Sequence, residues 1–175
     1  MTWTVPPRKL PDGPLSGADR PILEGYLGYQ RSALLARCQG LTGEQLAQRT
    51  VPPSSLSLLG LIRHMAKVER IWFRQRFGAQ ELEPMYDPAL GVDADYDDLD
   101  PARAEEDYSR LLAEIELADE AVASLSLEDT IAVRGDVMSL RAVYLHMIEE
   151  YAQHNGHADL LRERLDGVTG DPGEG

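Results

Sequence analysis

The chain has 175 residues, which suits one domain with a single core. It carries 17 Lys and Arg against 30 Asp and Glu, and a net charge of −13 argues against nucleic acid or anionic lipid as a partner. The one cysteine, Cys38, excludes an intramolecular disulfide and any metal site built from several cysteines. We expect a cytoplasmic protein, since no apolar run approaches the roughly 20 residues of a membrane span and no export signal is visible.

Apolar residues recur at helical spacing in four segments, and no convincing sheet is visible. We interpret residues 1–17 as an extended arm, 18–167 as a helical domain and 168–175 as a flexible tail. The predicted helices cover 19–39, 56–77, 101–124 and 139–165. The pattern therefore predicts an all-α protein, a four-helix bundle.

Polar residues mark the expected helix ends. Asp19 followed by Pro21 is typical of a helix start. Thr42 and Gln45 fit a capping box that opens a short turn. Ser139 is a candidate cap for the fourth helix, which Asp166–Gly167 would end.

The connections differ in length and composition. Residues 79–100 are acidic and long, and their simplest role is a crossover along the bundle, so that helices two and three need not be antiparallel neighbours. We interpret the acidic run 93–100 as a solvated loop. Residues 125–138 form a polar connection with a short extended piece at 131–133.

Three of the four histidines lie on the predicted fourth helix. Ligands for one metal ion on a helix must lie three or four residues apart, so that both side chains reach the ion. Three pairs have this spacing, and spacing alone leaves all of them open: His146/Glu150, Glu150/His154 and His154/His157.

The apolar stripe of the fourth helix separates these pairs. On a helical wheel His154 lies within about 20° of the centre of the inward face, and Glu150 lies about 60° away. His157 and His146 lie about 80° and 100° away, toward solvent. A buried, unpaired Glu150 would cost several kcal/mol, and a bound divalent cation would remove that cost.

A second histidine joins this argument from the predicted second helix. His64 lies about 80° from the centre of its stripe, where a side chain can reach a cavity between helices. Glu69, five residues further on, also leans inward and is a candidate partner or rival ligand. Taken singly, His64 would be a hydrogen-bonded core residue, and Glu150 could pair with Arg103 or with Arg162 of a second subunit.

At this point two segments resemble a known family. The run Leu58-Leu-Gly-Leu-Ile-Arg-His64, followed by Glu69 and Trp72, resembles the second helix of the DinB-like superfamily. The run His154-Asn-Gly-His157-Ala-Asp-Leu-Leu-Arg-Glu resembles its last helix. The similarity extends over about residues 18–167 and is greatest to the mycothiol-dependent transferase and maleylpyruvate isomerase branch.

The resemblance implies a fold, a metal and a reaction. It implies a four-helix bundle with a long crossover between helices two and three. It also implies a divalent metal, zinc first and nickel second, held by His64, Glu150 and His154. Glu150 replaces the histidine most common at its position, and His157 replaces a glutamine, which leaves a fourth candidate ligand.

The expected reaction is thiol transfer. A metal lowers the pKa of a thiol that binds it, and the thiolate then attacks a small electrophile. The resemblance names mycothiol or a similar thiol as cosubstrate, with Asn155 and Arg162 as candidate substrate contacts. The family often forms homodimers, and apolar residues such as Trp72, Phe73 and Phe77 extend round helix two, as core or as a dimer face.

Three alternatives remain open at this stage. A metal-bound hydroxide could perform hydrolysis with Glu69 as base. A non-catalytic, stress-linked metal-binding bundle would bind metal without thiol-dependent turnover. A bundle without metal would use the polar cluster as a buried hydrogen-bond network.

Overall fold

The structure is a computed structural model and describes residues 2–169, so residues 170–175 of the predicted tail lie outside the described part. This part of the chain is mostly helical, with one small two-stranded sheet. Its α-helices are α1 (Asp19–Cys38), α2 (Gly43–Leu46), α3 (Leu58–Glu69), α4 (Ala94–Asp97), α5 (Ala104–Val122) and α6 (Leu140–Asp166). A π-helix at Arg70–Phe77 continues α3, and 3₁₀ turns lie at Pro88–Leu90 and Pro101–Arg103. None of the described helices is long and apolar enough to cross a membrane.

The helix ends follow their capping residues with one exception. The Thr42–Gln45 capping box forms, and the Ser139 side chain accepts a hydrogen bond at the start of α6. Gly167 ends α6 in the left-handed conformation, as predicted. Asp19 is not the cap of α1: it is the first helical residue, where its charge favours the positive end of the helix dipole.

The four long helices pack around one apolar core, and two ion pairs show the relative direction of α3 and α5. Arg63 of α3 pairs with Asp107 of α5, and Arg74, eleven residues on, pairs with Glu114. The contacts therefore advance the same way along both helices, so α3 and its π-helical extension run parallel to α5. Parallel neighbours need a connection as long as the helices, and residues 79–100 provide this crossover.

The connection before α6 contains a small sheet, which the sequence analysis does not predict. Strands β1 (Thr130–Val133) and β2 (Asp136–Ser139) pair antiparallel. The two residues between them, Arg134 and Gly135, both have positive φ, at 52° and 94°, as a tight two-residue hairpin requires. The periodicity of a strand this short is too weak to separate it from a loop.

The N-terminal arm packs against the helices. Val5 is buried, and Thr4 forms an isolated β-bridge with Thr42. Phe73 and Phe77 lie in the core, while Trp72 is half-buried and packs on His146. The apolar residues around the end of α3 are therefore used largely within the chain.

Candidate metal centre

The three predicted ligands come together between α3 and α6. His64 lies on α3, and Glu150 and His154 lie one turn apart on α6. One possible ligand atom from each lies within 4.8 Å of the other two. His154 is buried and the other two side chains are half-buried. We call these three residues the ligand cluster.

The contacts of Glu150 with its two histidine neighbours are longer than hydrogen bonds. The Glu150 carboxylate oxygens lie 3.6 Å from Nε2 of His154 and 3.7 Å from Nε2 of His146, whereas hydrogen bonds of this kind measure about 2.7–3.2 Å. Within residues 2–169, no lysine or arginine pairs with Glu150, and Arg103 pairs with Glu106 instead. The Glu150 charge thus faces two imidazoles without a close protein donor.

The donor set fits a divalent cation. Two imidazole nitrogens and one carboxylate oxygen are the protein ligands of many catalytic zinc sites. The 3.6 Å between Glu150 and His154 is close to the ~3.4 Å that separates tetrahedral ligands on zinc. Burial, and after it the charges of His64 and His157, lower the pKa of His154 to about 4. The His154 ring is therefore neutral near pH 7, the form that binds metals.

Each histidine of the ligand cluster has a second contact through Nδ1. His64 Nδ1 lies 2.7 Å from Oδ2 of Asp95, and His154 Nδ1 lies 3.3 Å from Nδ1 of His157. Both rings thereby leave Nε2 for the cluster. His157, a candidate fourth ligand from the sequence, lies behind His154 in this arrangement and outside the three-residue cluster.

Asp95 is the residue that sequence reasoning missed. The sequence predicts a solvated loop over 93–100, but Asp95 is only 1% exposed. Its second oxygen accepts a hydrogen bond of 2.9 Å from Lys67 Nζ. Burial alone would raise the pKa of the Asp95 carboxyl, but the hydrogen bonds with His64 and Lys67 outweigh burial and hold it below its ordinary value.

Tyr96, the next residue of α4, covers one face of His64. The ring centroids are 4.9 Å apart and the planes differ by 23°. A Cβ at Gly60, one turn before His64, would lie 3.1 Å from Tyr96 Cδ1, so glycine permits this close approach. Burial raises the pKa of the Tyr96 hydroxyl, and the charges of Asp95 and Glu150 raise it further, so the phenol stays protonated.

Glu69, the predicted partner or rival ligand, belongs to a separate cluster. Its two carboxylate oxygens accept hydrogen bonds of 2.7 and 2.8 Å from Arg31, and Tyr151 donates another of 2.9 Å. Glu69 is fully buried. We call Arg31, Glu69 and Tyr151 the core cluster. Because both oxygens are bonded there, the hydrolytic alternative has no ready base in Glu69.

The predicted substrate contacts Asn155 and Arg162 tie α6 to α1. Asn155 Nδ2 donates to the backbone oxygen and the side-chain oxygen of Gln30, at 3.0 and 2.7 Å. Arg162 Nη1 donates to the carbonyls of Arg37 and Gln39, at 2.8 and 3.0 Å. Arg162 thereby satisfies carbonyls that the end of α1 leaves open.

A pocket of about 450 Å³ lies between the crossover and the end of α3. Most of its lining is apolar, and Lys67, which bonds Asp95, forms part of the wall. Its other lining residues include Ile71, Leu82, Pro84, Met85 and Val92. A volume of this size is typical of small-molecule sites.

Fold and site together define a largely helical protein with a candidate centre for a divalent cation, made of two histidines and one glutamate. The family model for mycothiol-S-transferase matches residues 22–167, and the chain belongs to this family of the DinB-like superfamily. The predicted resemblance is confirmed, and membership implies a thiol transferase with a thiol cosubstrate. Searches of curated proteins and of solved structures gave no match.

Proposed function

We propose that this protein is a metal-dependent thiol S-transferase that joins mycothiol, or a similar small thiol, to an electrophilic carbon. The observation that carries the proposal is the ligand cluster: three donors of the right chemistry lie within 4.8 Å of one another, and Glu150 and His154 are 3.6 Å apart, too far for a hydrogen bond. A buried hydrogen-bond network without metal would bring Glu150 and His154 to hydrogen-bond distance. We also propose that the protein has the four-helix architecture of the DinB-like superfamily.

The ligands favour zinc, with nickel as the second candidate, because imidazole and carboxylate suit both ions. A divalent cation held by His64, Glu150 and His154 would lower the pKa of a thiol that reached it and so favour the nucleophilic thiolate. The neutral His154 ring and the Glu150 charge would hold such a cation. The Tyr96 ring shields the outer face of His64 from water.

The thiol must come from a cosubstrate. Cys38, the single cysteine, is fully buried, and burial raises the pKa of its thiol to about 12, against the opposing charges of Arg162 and Arg37. It therefore acts as a packed apolar residue. In the overall reaction the cosubstrate sulfur forms the new S–C bond, its proton passes to solvent, and the electrophile releases its leaving group with the bonding electrons.

We assign the apolar part of the electrophile, and not its reacting carbon, to the pocket beside α3, because none of the three ligand residues lines that pocket. The pocket shares Lys67 with the hydrogen-bonded chain that reaches His64 through Asp95. Its mostly apolar lining suits an uncharged organic molecule.

A cytoplasmic location, a homodimer and the absence of nucleic-acid binding stay predictions.

Thiol-dependent turnover tests the proposal. Untagged protein loaded with zinc is mixed with mycothiol and 1-chloro-2,4-dinitrobenzene, and thioether formation is followed by absorbance. We expect turnover that stops on chelation and in Glu150→Ala but continues in Leu145→Ala, a change at an exposed position of the same helix. Ester or amide hydrolysis without thiol would favour the hydrolase. Bound metal without turnover of any electrophile would favour a non-catalytic metal-binding bundle.

A further inference from the structure

Asp95 joins the crossover to the candidate metal centre. Its carboxylate lies between two residues of α3: Oδ2 is 2.7 Å from His64 Nδ1, and Oδ1 is 2.9 Å from Lys67 Nζ. The backbone on either side is fixed as well. Arg63, also on α3, donates to the carbonyls of Asp95 and Ala94, at 3.0 and 3.1 Å.

This arrangement determines which nitrogen of His64 carries the proton. Lys67 is a donor only, so the carboxylate accepts from it. The opposite oxygen also accepts, because an ionised carboxylate has no proton to give. His64 must therefore donate from Nδ1, and the lone pair of a neutral ring then lies on Nε2. That nitrogen is the one left for the ligand cluster.

We propose that Asp95 is a positioning residue that holds His64 in the Nδ1–H form and presents Nε2 as a ligand, while Lys67 donates to the other carboxylate oxygen. Carboxylate partners of this kind orient metal-binding histidines and raise their basicity. The effect on metal affinity rests on the proposed function, but the proton position is a property of the metal-free protein.

The first measurement is the His64 tautomer in metal-free protein. Long-range ¹H–¹⁵N correlation spectra at pH 8 distinguish a proton on Nδ1 from one on Nε2. We expect the Nδ1–H form in the unchanged chain. The Nε2–H form, or a mixture with no preference, would overturn the proposal. Because the measurement uses the unchanged protein, it does not depend on whether a variant folds.

Asp95→Asn should reverse the tautomer. Because Lys67 can only donate, the new amide must turn its oxygen toward Lys67 and its NH₂ toward His64. His64 Nδ1 then has to accept, so its proton moves to Nε2 and occupies the ligand position. Zinc affinity, measured by competition with a chromophoric chelator, should fall about 10- to 100-fold.

Lys67→Met provides the matched control and the rescue. Alone it leaves the carboxylate on His64, so tautomer and zinc affinity should change little. Combined with Asp95→Asn it frees the amide to turn its oxygen to His64, and the Nδ1–H form and most of the affinity should return. Asp95→Asn with unchanged tautomer and affinity would overturn the proposal, as would a double variant without recovery, which indicates a merely structural Asp95.

The two hypotheses fail in different ways. An Nδ1–H tautomer in a protein that binds no zinc would support the placement of the proton by Asp95 and contradict the proposed metal function. Zinc binding with His64 in the Nε2–H form before metal is added would contradict the role of Asp95 alone.

Discussion

Two polar clusters lie between α3 and α6, and they differ in how their charges are satisfied. In the core cluster, Glu69 takes hydrogen bonds of 2.7 to 2.9 Å from Arg31 and Tyr151. In the ligand cluster, Glu150 meets its histidine neighbours only at 3.6 and 3.7 Å. Glu69 and Glu150 belong to neighbouring parts of the same helix pair, yet among residues 2–169 only Glu69 pairs with an arginine or lysine.

The difference separates a structural carboxylate from a ligand-binding one. Burial disfavours the charge of Arg31, but its ion pair with Glu69 outweighs burial and holds the pKa of Arg31 above the ordinary value. The core cluster thus needs nothing from outside the chain. The ligand cluster collects donor atoms and a negative charge without a matching cation, which is the chemistry a divalent ion completes.

The largest expected effect is on stability, from Glu69→Ala. The substitution leaves the Arg31 guanidinium buried without its main partner, and we expect a loss of about 3–5 kcal/mol in the free energy of unfolding. Urea unfolding measures it. Asp119→Ala removes the exposed partner of the same guanidinium and should cost no more than about 1 kcal/mol. Similar losses for the two variants would contradict a structural core cluster.

The next effect is a pH dependence that belongs to the ligand cluster. The pKa of His154 is lowered from 6.5 to about 4 in the folded protein, so protons bind the unfolded chain more readily. The stability gained from the neutral ring is present above pH 6.5 and is lost as the pH falls toward 4. The shift corresponds to up to about 3 kcal/mol.

Urea unfolding at several pH values tests this expectation. The protein is kept metal-free with a chelator. His154→Gln keeps a polar side chain without the titration, so its stability should fall less between pH 6.5 and 4 than that of the unchanged chain. Parallel pH profiles for the two proteins would show that His154 is not held neutral by the fold.

The smallest effect concerns the pocket assigned to the electrophile. Ile71→Trp would fill part of it, and we expect a several-fold higher KM for an apolar electrophile with unchanged zinc affinity. Ile71→Ala enlarges the same space and should shift preference toward bulkier electrophiles. If neither substitution alters KM, the electrophile binds elsewhere. A loss of zinc in either variant would mean that pocket and ligand cluster are not independent.

The sequence placed the ligand cluster because its residues lie on periodic helices. The apolar stripes orient α3 and α6, and the wheel angles of His64, Glu150 and His154 follow from those stripes. Glu69 shows the limit of this reasoning. Its inward position was predictable, but its partner Arg31 comes from α1, and a wheel drawn on one helix cannot show which side chain a second helix supplies.

Asp95 shows a different limit. It lies on a four-residue helix within an acidic crossover, where no periodicity separates a buried carboxylate from solvated ones. Its burial depends on Arg63 and Lys67, whose side chains lie opposite the apolar stripe and hold the crossover against α3. The position of Asp95 beside His64 therefore depends on tertiary contacts that local sequence patterns do not reveal.

Zinc titration of the metal-free protein by calorimetry tests the central claim most directly. We predict one zinc ion per chain for the unchanged protein and loss of the site in His64→Ala, Glu150→Ala and His154→Ala. His146→Ala, which removes the neighbour on the other side of Glu150, should keep it. Binding that survives Glu150→Ala but disappears in His157→Ala would move the site to the other pair on α6. No binding by the unchanged protein would contradict the account.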